Sequence, residues 1–266
     1  MTQPCRLILT ERDARILLLV SRFRLMSRNQ IMALAPFKSL TRANTRLAAL
    51  LHNRLLSRKV LPVYPGHGSA QALYFLGRAS GSVLSIDPKF LSQQLRQTSR
   101  WDLRQVAHVV AANQGLSDAI EAAAKSSDVA IHEFRTEPEL RQMFSDRRLV
   151  PDGWFSWTES GKRFNCFFEI DLHHEGLREW RAKVLRFVEY AESGVHHERF
   201  GFRSFRVCVL AKSAFRLENL RHAAELAGGL FLFGQMAEVG ATNFFGQTWL
   251  GARGTTPMSL SEAKSI

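Results

Sequence analysis

The chain is 266 residues long and 45% hydrophobic, enough for one large folded domain or two ordinary ones, which excludes a disordered chain. Its net charge of +12 is confined to the leading segment: residues 1–100 hold 16 Lys and Arg against Glu11, Asp13 and Asp87, a net of +13, and residues 101–266 come to −1. Cations crowded in this way repel one another unless a polyanion is the usual partner, so the composition points to nucleic acid.

The opening MTQPCRLILTERD has no apolar leader core, and the aliphatic run Ile16–Val20 is too short to span a bilayer, so no membrane partner is expected. Cys5, Cys166 and Cys208 are odd in number and lack a CxxC spacing. That argues against disulfides and zinc, and for reduced thiols in a cytoplasmic protein. A first helix starts at LTERD, with Thr10 as cap and Asp13 placed to reach back, and continues through Ile16, Leu17, Val20 and Phe23 at helical spacing. A second opens at Ser27 with Gln30 three residues on, buries Ile31 and Leu34, and ends before Pro36. A third covers Leu40 to His52, with Ala43, Leu47, Leu50 and Leu51 as its apolar stripe.

The opposite face of that third helix carries Arg42, Thr45, Arg46 and Asn53, side chains suited to base edges and phosphates, and small Ala49 permits close approach. Arg28 and Lys38 flank it. Strand-like Leu56–Val63 and Gln71–Leu76 follow around the Gly-rich turn PGHGS, decorated by Arg58, Lys59 and His67. Three helices and a basic hairpin form the order of a winged helix-turn-helix, so residues 1–85 are expected to bind double-stranded DNA. Residues 86–127 read as a helical linker in which His108 is a core histidine, and residues 251–266 as a flexible tail.

Residues 128–250 are expected to form an α/β domain. In RFNCFFEID, Phe164, Cys166, Phe168 and Ile170 alternate with Asn165, Phe167, Glu169 and Asp171, so Glu169 and Asp171 share one face of a strand. TESGK is the turn to an antiparallel partner, Trp154–Trp157, with Asp152 at its mouth; three carboxylates are expected to converge there. A helix over 175–191, a buried strand over 204–211, a helix over 217–226 and a strand over 228–234 complete the layer. His173–His174 and His196–His197 match no closed zinc spacing, and neither a phosphate-binding loop nor a dinucleotide-binding turn is present.

The LTERDARIL start together with PDG…FFEID…K…Y resembles the replication-relaxation family of plasmid and mobile-element proteins, over about 230 residues. The resemblance implies an α+β chain, with a winged helix followed by an α/β restriction-endonuclease-like domain of the PD-(D/E)XK type. It also implies a DNA-binding accessory role in replication, mobilisation or transcriptional control. In active enzymes of that fold an Asp and a Glu hold Mg²⁺, and a lysine two residues beyond the Glu assists the attacking water. Asp152 and Glu169 match the first two positions, Asp171 stands where the lysine belongs, and Lys183 is a candidate substitute from the next helix. The expected function is therefore a non-catalytic DNA-binding accessory protein, with a relaxase, a replication initiator or a second copy as further partners. The alternatives are a Mg²⁺-dependent endonuclease or nickase using Asp152, Glu169, Asp171 and Lys183, and a protein-interaction module.

Overall fold

The first helix forms where the chain supplies both a cap and an apolar stripe. In this computed structural model, which describes residues 7–61, 72–144, 148–173 and 175–262, α1 spans Glu11–Phe23 and Thr10 caps it. Asp13 Oδ2 accepts the Thr10 N–H at 2.7 Å while Thr10 Oγ1 accepts from the Asp13 N–H, a reciprocal capping box. Strand β1 (Met26–Ser27) leads into α2 (Arg28–Leu34), whose Ser27 and Gln30 form a second box. Helix α3 (Leu40–His52) buries Ala43, Leu47 and Leu50 and is capped by Ser39.

Strands β2 (Leu56–Val60) and β3 (Ala72–Leu76) pair antiparallel from Leu56 opposite Leu76, and β1 adds on the far edge of β3, giving the order β1-β3-β2. The expected order of three helices and a hairpin is present, with β1 in addition; the hairpin tip, including His67, lies outside the described residues. Helices α4 (Ser80–Leu84), α5 (Pro88–Arg100) and α6 (Leu103–Lys125) follow.

Residues 86–113 do not behave as a linker. Gln94 Nε2 donates to Ser21 O at 3.2 Å, Gln30 Nε2 donates to Val110 O at 2.9 Å, and Asn113 Nδ2 donates to Leu25 O at 2.6 Å. Gln94 and Asn113 thereby satisfy carbonyls at and just beyond the C-terminal end of α1, and Gln30 one inside α6, so α5 and the first half of α6 belong to the first unit, which ends at Asn113.

The second unit, residues 114–266, is built on a six-stranded mixed sheet in the order β4-β5-β6-β7-β8-β9. Edge strand β4 (Val129–Thr136) and α7 (Glu137–Met143) precede the hairpin β5 (Gly153–Glu159) and β6 (Lys162–Asp171). Its two-residue turn has Ser160 and Gly161 both at positive φ, 49° and 75°, the geometry that matches strand twist. Then come α8 (Leu177–Glu192), α9 (Val195–Phe200), β7 (Arg206–Ala211), α10 (Ala214–Ala223), a 3₁₀ turn (Glu225–Leu230), β8 (Phe231–Gln235) and β9 (Leu250–Gly251).

Strands β6, β7 and β8 are parallel and step in one direction across the sheet. Crossovers of one hand therefore place α8 and α10 on the same face. There Trp180, Val184 and Phe187 of α8 and Leu217 and Leu220 of α10 pack against Phe167, Val207, Val209, Phe231 and Phe233. The chain is thus α+β, with a helical unit carrying a three-stranded ladder followed by a unit on an open mixed sheet.

The expected flexible tail is largely packed. Leu260 is fully buried, its carbonyl accepts from Arg206 Nη1 at 2.8 Å, and Met258 bridges to Trp249; residues 263–266 lie outside the described set. On the sheet face away from α8, the second half of α6 approaches so closely that a Cβ at Gly115 would stand 2.1 Å from Phe168 Cζ. Propensity favours Ala over Gly in a helix by about 1 kcal/mol, yet Phe168 is fully buried and has no room to yield. Gly115→Ala is expected to destabilise the second unit by about 1–3 kcal/mol in urea unfolding, the reverse of what helix propensity alone gives.

Candidate functional site

Strand alternation brings Glu169 and Asp171 to the helix-covered face of β6, beside Phe167. Both are nearly sequestered from water, at 2% and 6% exposure, and each takes a cation from a different helix. Lys183 of α8, one residue from buried Val184, extends its Nζ to Glu169 Oε2. Arg216 of α10 grips Asp171 in a fork, Nε to Oδ1 at 2.9 Å and Nη2 to Oδ2 at 2.7 Å, and also donates to Glu175 O.

Asp152, 8% exposed, uses Oδ2 to accept the Ile170 N–H at 2.8 Å, so its carboxylate continues the ladder just beyond the start of β5. The three-carboxylate convergence expected from the sequence does not form, because Asp171 is turned to Arg216. Among the described residues no three Asp, Glu, His or Cys side chains are placed to share a metal ion. Asp152, Glu169 and Lys183 do come together.

Burial pushes the Glu169 carboxyl up to about 8. The charges of Asp152 and Glu175 push the same way, and Lys183 opposes them. Burial works against the Lys183 ammonium, but the three surrounding carboxyl groups outweigh it and raise its pKa, so it stays charged. Glu169 Oε1 is buried without a hydrogen-bond partner among the described atoms, which adds to the cost of charging this carboxyl. For Mg²⁺ this donor set offers Asp152 and Glu169 alone, and one oxygen of each is already engaged. Three-carboxylate metal chemistry does not fit these residues.

In the first unit the expected DNA-reading face divides in two. Arg42 and Thr45 are exposed on α3, Lys38 is exposed ahead of it, and Arg58 is exposed on β2. Arg46 is not available as a reading residue: its Nε donates to Asp13 Oδ1 at 2.7 Å, and its Nη2 reaches both Asp13 Oδ2 and Ile8 O. Burial alone would raise Asp13, which is 0% exposed, but the hydrogen bonds from Arg46 and Thr10 prevail and hold its carboxyl below the usual range.

Asn53 closes the end of α3 by donating to Ala49 O at 2.8 Å, Arg28 Nη1 donates to Asn44 Oδ1 at 3.1 Å, and Lys59 Nζ donates to Trp101 O at 2.7 Å. His108 is half-buried, and His196 is buried between the carbonyls of Tyr190 and Arg203. His174 lies outside the described residues.

Sequence reasoning missed Arg216 and the arginines around α8. Arg216 follows the capping residue Ser213 at the start of α10, and nothing in a linear pattern pairs it with a strand 45 residues earlier.

A basic helical unit followed by a mixed-sheet unit with a buried carboxylate–lysine cluster is the class that this fold and site define. Residues 17–204 match the model of the replication-relaxation family, and the chain belongs to that family. No curated protein matched. Among solved structures, the restriction endonuclease FokI bound to DNA is similar over 85% of this chain and 43% of its own, at 14% identity and a TM-score of 0.27, too slight a likeness to argue from. No helix among the described residues is long and apolar enough to cross a membrane.

The raised Glu169 pKa fixes the sign of a pH effect. Below about 4.5, the ordinary value, folded and unfolded chains both carry the proton. Between 4.5 and about 8 only the folded chain does, so stability falls as pH rises through that window. Urea unfolding of the second unit is expected to show this decline, and Glu169→Gln, which holds no titrating proton, is expected to flatten it.

Proposed function

We propose that this protein is a double-stranded DNA-binding accessory protein of a plasmid or other mobile element, serving replication, mobilisation or transcriptional control from the cytoplasm. In this reading residues 7–84 are a winged helix-turn-helix, α3 enters the major groove, and the β2–β3 hairpin rests on the backbone. The observation that carries it is the exposed Arg42–Thr45 face of α3, set in a unit that holds the whole positive surplus of the chain. Support comes also from the element order α1-β1-α2-α3-β2-β3 and from the Asp13–Arg46 pair, which braces α3 against α1 and leaves Arg42 to the solvent.

The second unit is read as a PD-(D/E)XK nuclease-like fold that has lost its metal chemistry and serves assembly, with a relaxase, a replication initiator or a second copy of the chain. The Asp171–Arg216 fork supports the loss. One observation favours a second reading, a Mg²⁺-dependent nickase. Lys183 meets Glu169 from α8, and in this reading it stands in for the lysine missing two residues after the Glu. In that reading Asp152 and Glu169 would hold the ion, which supplies Lewis-acid activation of a phosphodiester, and Lys183 would orient water.

Two experiments separate these readings. With duplexes selected by the protein from a random library, Arg42→Ala is expected to weaken binding about tenfold, in line with loss of one base contact of 1–3 kcal/mol. Arg46→Ala is expected instead to lower the stability of the first unit by about 2 kcal/mol, the partial exposure of Arg46 discounting the figure for a wholly buried pair. Unchanged affinity for Arg42→Ala at every salt concentration overturns the DNA-reading assignment. Supercoiled plasmid incubated with the protein and Mg²⁺ or Mn²⁺ is expected to remain supercoiled. Nicked circles that disappear with Asp152→Asn and Lys183→Met would establish the nickase.

A further inference from the structure

The second unit holds a cleft that neither DNA reading by the first unit nor the buried carboxylate cluster accounts for. It has a volume of about 420 Å³ and is lined by Arg141 of α7, Arg148 in the following loop, and Arg178, Lys183 and Arg186 of α8, faced by Glu175 and Glu179. Its lining is therefore +3, although residues 101–266 together come to −1. Five cations line it; Arg141 is paired with Glu137 and Lys183 with Glu169, and Arg178 and Arg186 add two more along one helix face. Like charges held close together cost energy unless an anion joins them.

The arrangement on α8 is regular. Arg178, Ala182 and Arg186 lie at i, i+4 and i+8 on one face, so the two guanidinium stems are about 12 Å apart along the helix at 1.5 Å per residue. The small Ala182 between them leaves the helix surface open to close approach. Across the cleft Arg141 is paired with Glu137, and Arg186 Nη1 donates to Arg148 O at 3.4 Å, which ties the two walls together. At the base, Lys183 is the residue that reaches inward to Glu169.

We infer that this cleft binds the phosphodiester backbone of nucleic acid, as a contact separate from that of the first unit. Guanidinium forks match phosphate oxygens, and a 12 Å stripe spans roughly three to four steps of a strand whose rise is about 3.4 Å per nucleotide. Among the described residues the lining offers no aromatic side chain on which a base could stack, and only Val150 and Ala182 as apolar surface. It is thus poorly suited to base reading, and equally poor as a docking site for a protein partner, which needs buried apolar or aromatic anchors. Binding here is insensitive to sequence and steeply dependent on salt. The backbone can come from a single strand or a duplex, which share the same phosphate chemistry.

The test uses the full chain, with a fluorescent single-stranded oligonucleotide of arbitrary sequence and its duplex, titrated across a range of salt. Arg178→Ala/Arg186→Ala is expected to weaken binding at least tenfold at low salt. It is also expected to reduce the slope of log affinity against log salt by about 1.4 for a single strand or about 1.8 for a duplex, as two phosphate contacts require. Lys162→Ala/Arg181→Ala removes the same charge from exposed positions outside the cleft and is expected to leave both nearly unchanged.

A loss confined to one form of nucleic acid supports the site and identifies its source. Equal losses from the cleft and control pairs, or an unchanged slope for the cleft pair, overturn it. Repeating the cleft pair in an Arg42→Ala background keeps this proposal apart from the first. The tenfold loss should persist there whether or not Arg42 itself contributes, and its absence in that background counts against the cleft.

Discussion

A carboxylate taken out of water must be given a cation or a proton, and three buried acids decide how this molecule is assembled. Asp13 receives Arg46, Asp171 receives Arg216, and Glu169 receives both Lys183 and a proton held by burial. Each arrangement joins elements distant in sequence: α1 to α3, β6 to α10, and β6 to α8. Each also withdraws a charged side chain from the surface, where it would otherwise have been free to meet a ligand. Arg46 is the clearest case, since its place on the polar face of α3 suggested base reading while its partner makes it a brace.

The same constraint shapes the second unit. Alternation along β6 leaves no choice about which face Glu169 and Asp171 occupy, and the parallel order β6-β7-β8 covers that face with α8 and α10. The carboxylates thus lie beneath helices, and the helices supply lysine and arginine as their partners. Asp152 adds to this by closing the ladder at Ile170. The oxygens of the cluster are largely committed within the protein.

Much of this could be read from local pattern. The β5–β6 hairpin was legible because period-two alternation and the SG turn are short-range signals, and both capping boxes because four consecutive residues define each. Lys183 was reachable as well, by helical spacing from Trp180. Edge strand β4 was not, since its half-exposed VAIHEFRT has no clean alternation and gains its partner only by pairing with β5. Arg216 and the arginine cleft depend on where α10 and α7 come to rest, which no window of sequence encodes. Residues 86–113, which open on the polar IDPKFLSQQLRQTS, and the carboxyl-terminal segment are hard to place from local pattern. The first are held by side-chain amides on carbonyls distant in sequence and by Val106, Val109 and Val110 packed with Leu25 and Leu73, and the second by Arg206 on Leu260 O, partners that no local window identifies.

The division of charge between the two units then acquires a physical sense. The first unit carries the whole surplus, with Lys38, Arg42 and Arg58 exposed on and beside α3 and β2, and the second gathers a smaller surplus into one cleft above a neutralised cluster. The account depends most on the buried acids being satisfied by protein cations. Crystals grown with Mn²⁺ and measured for its anomalous scattering test this directly. The account predicts Asp171 still forked to Arg216 and no ion bridging Asp152, Glu169 and Asp171. A manganese peak ligated by all three, with Arg216 swung away, would contradict it.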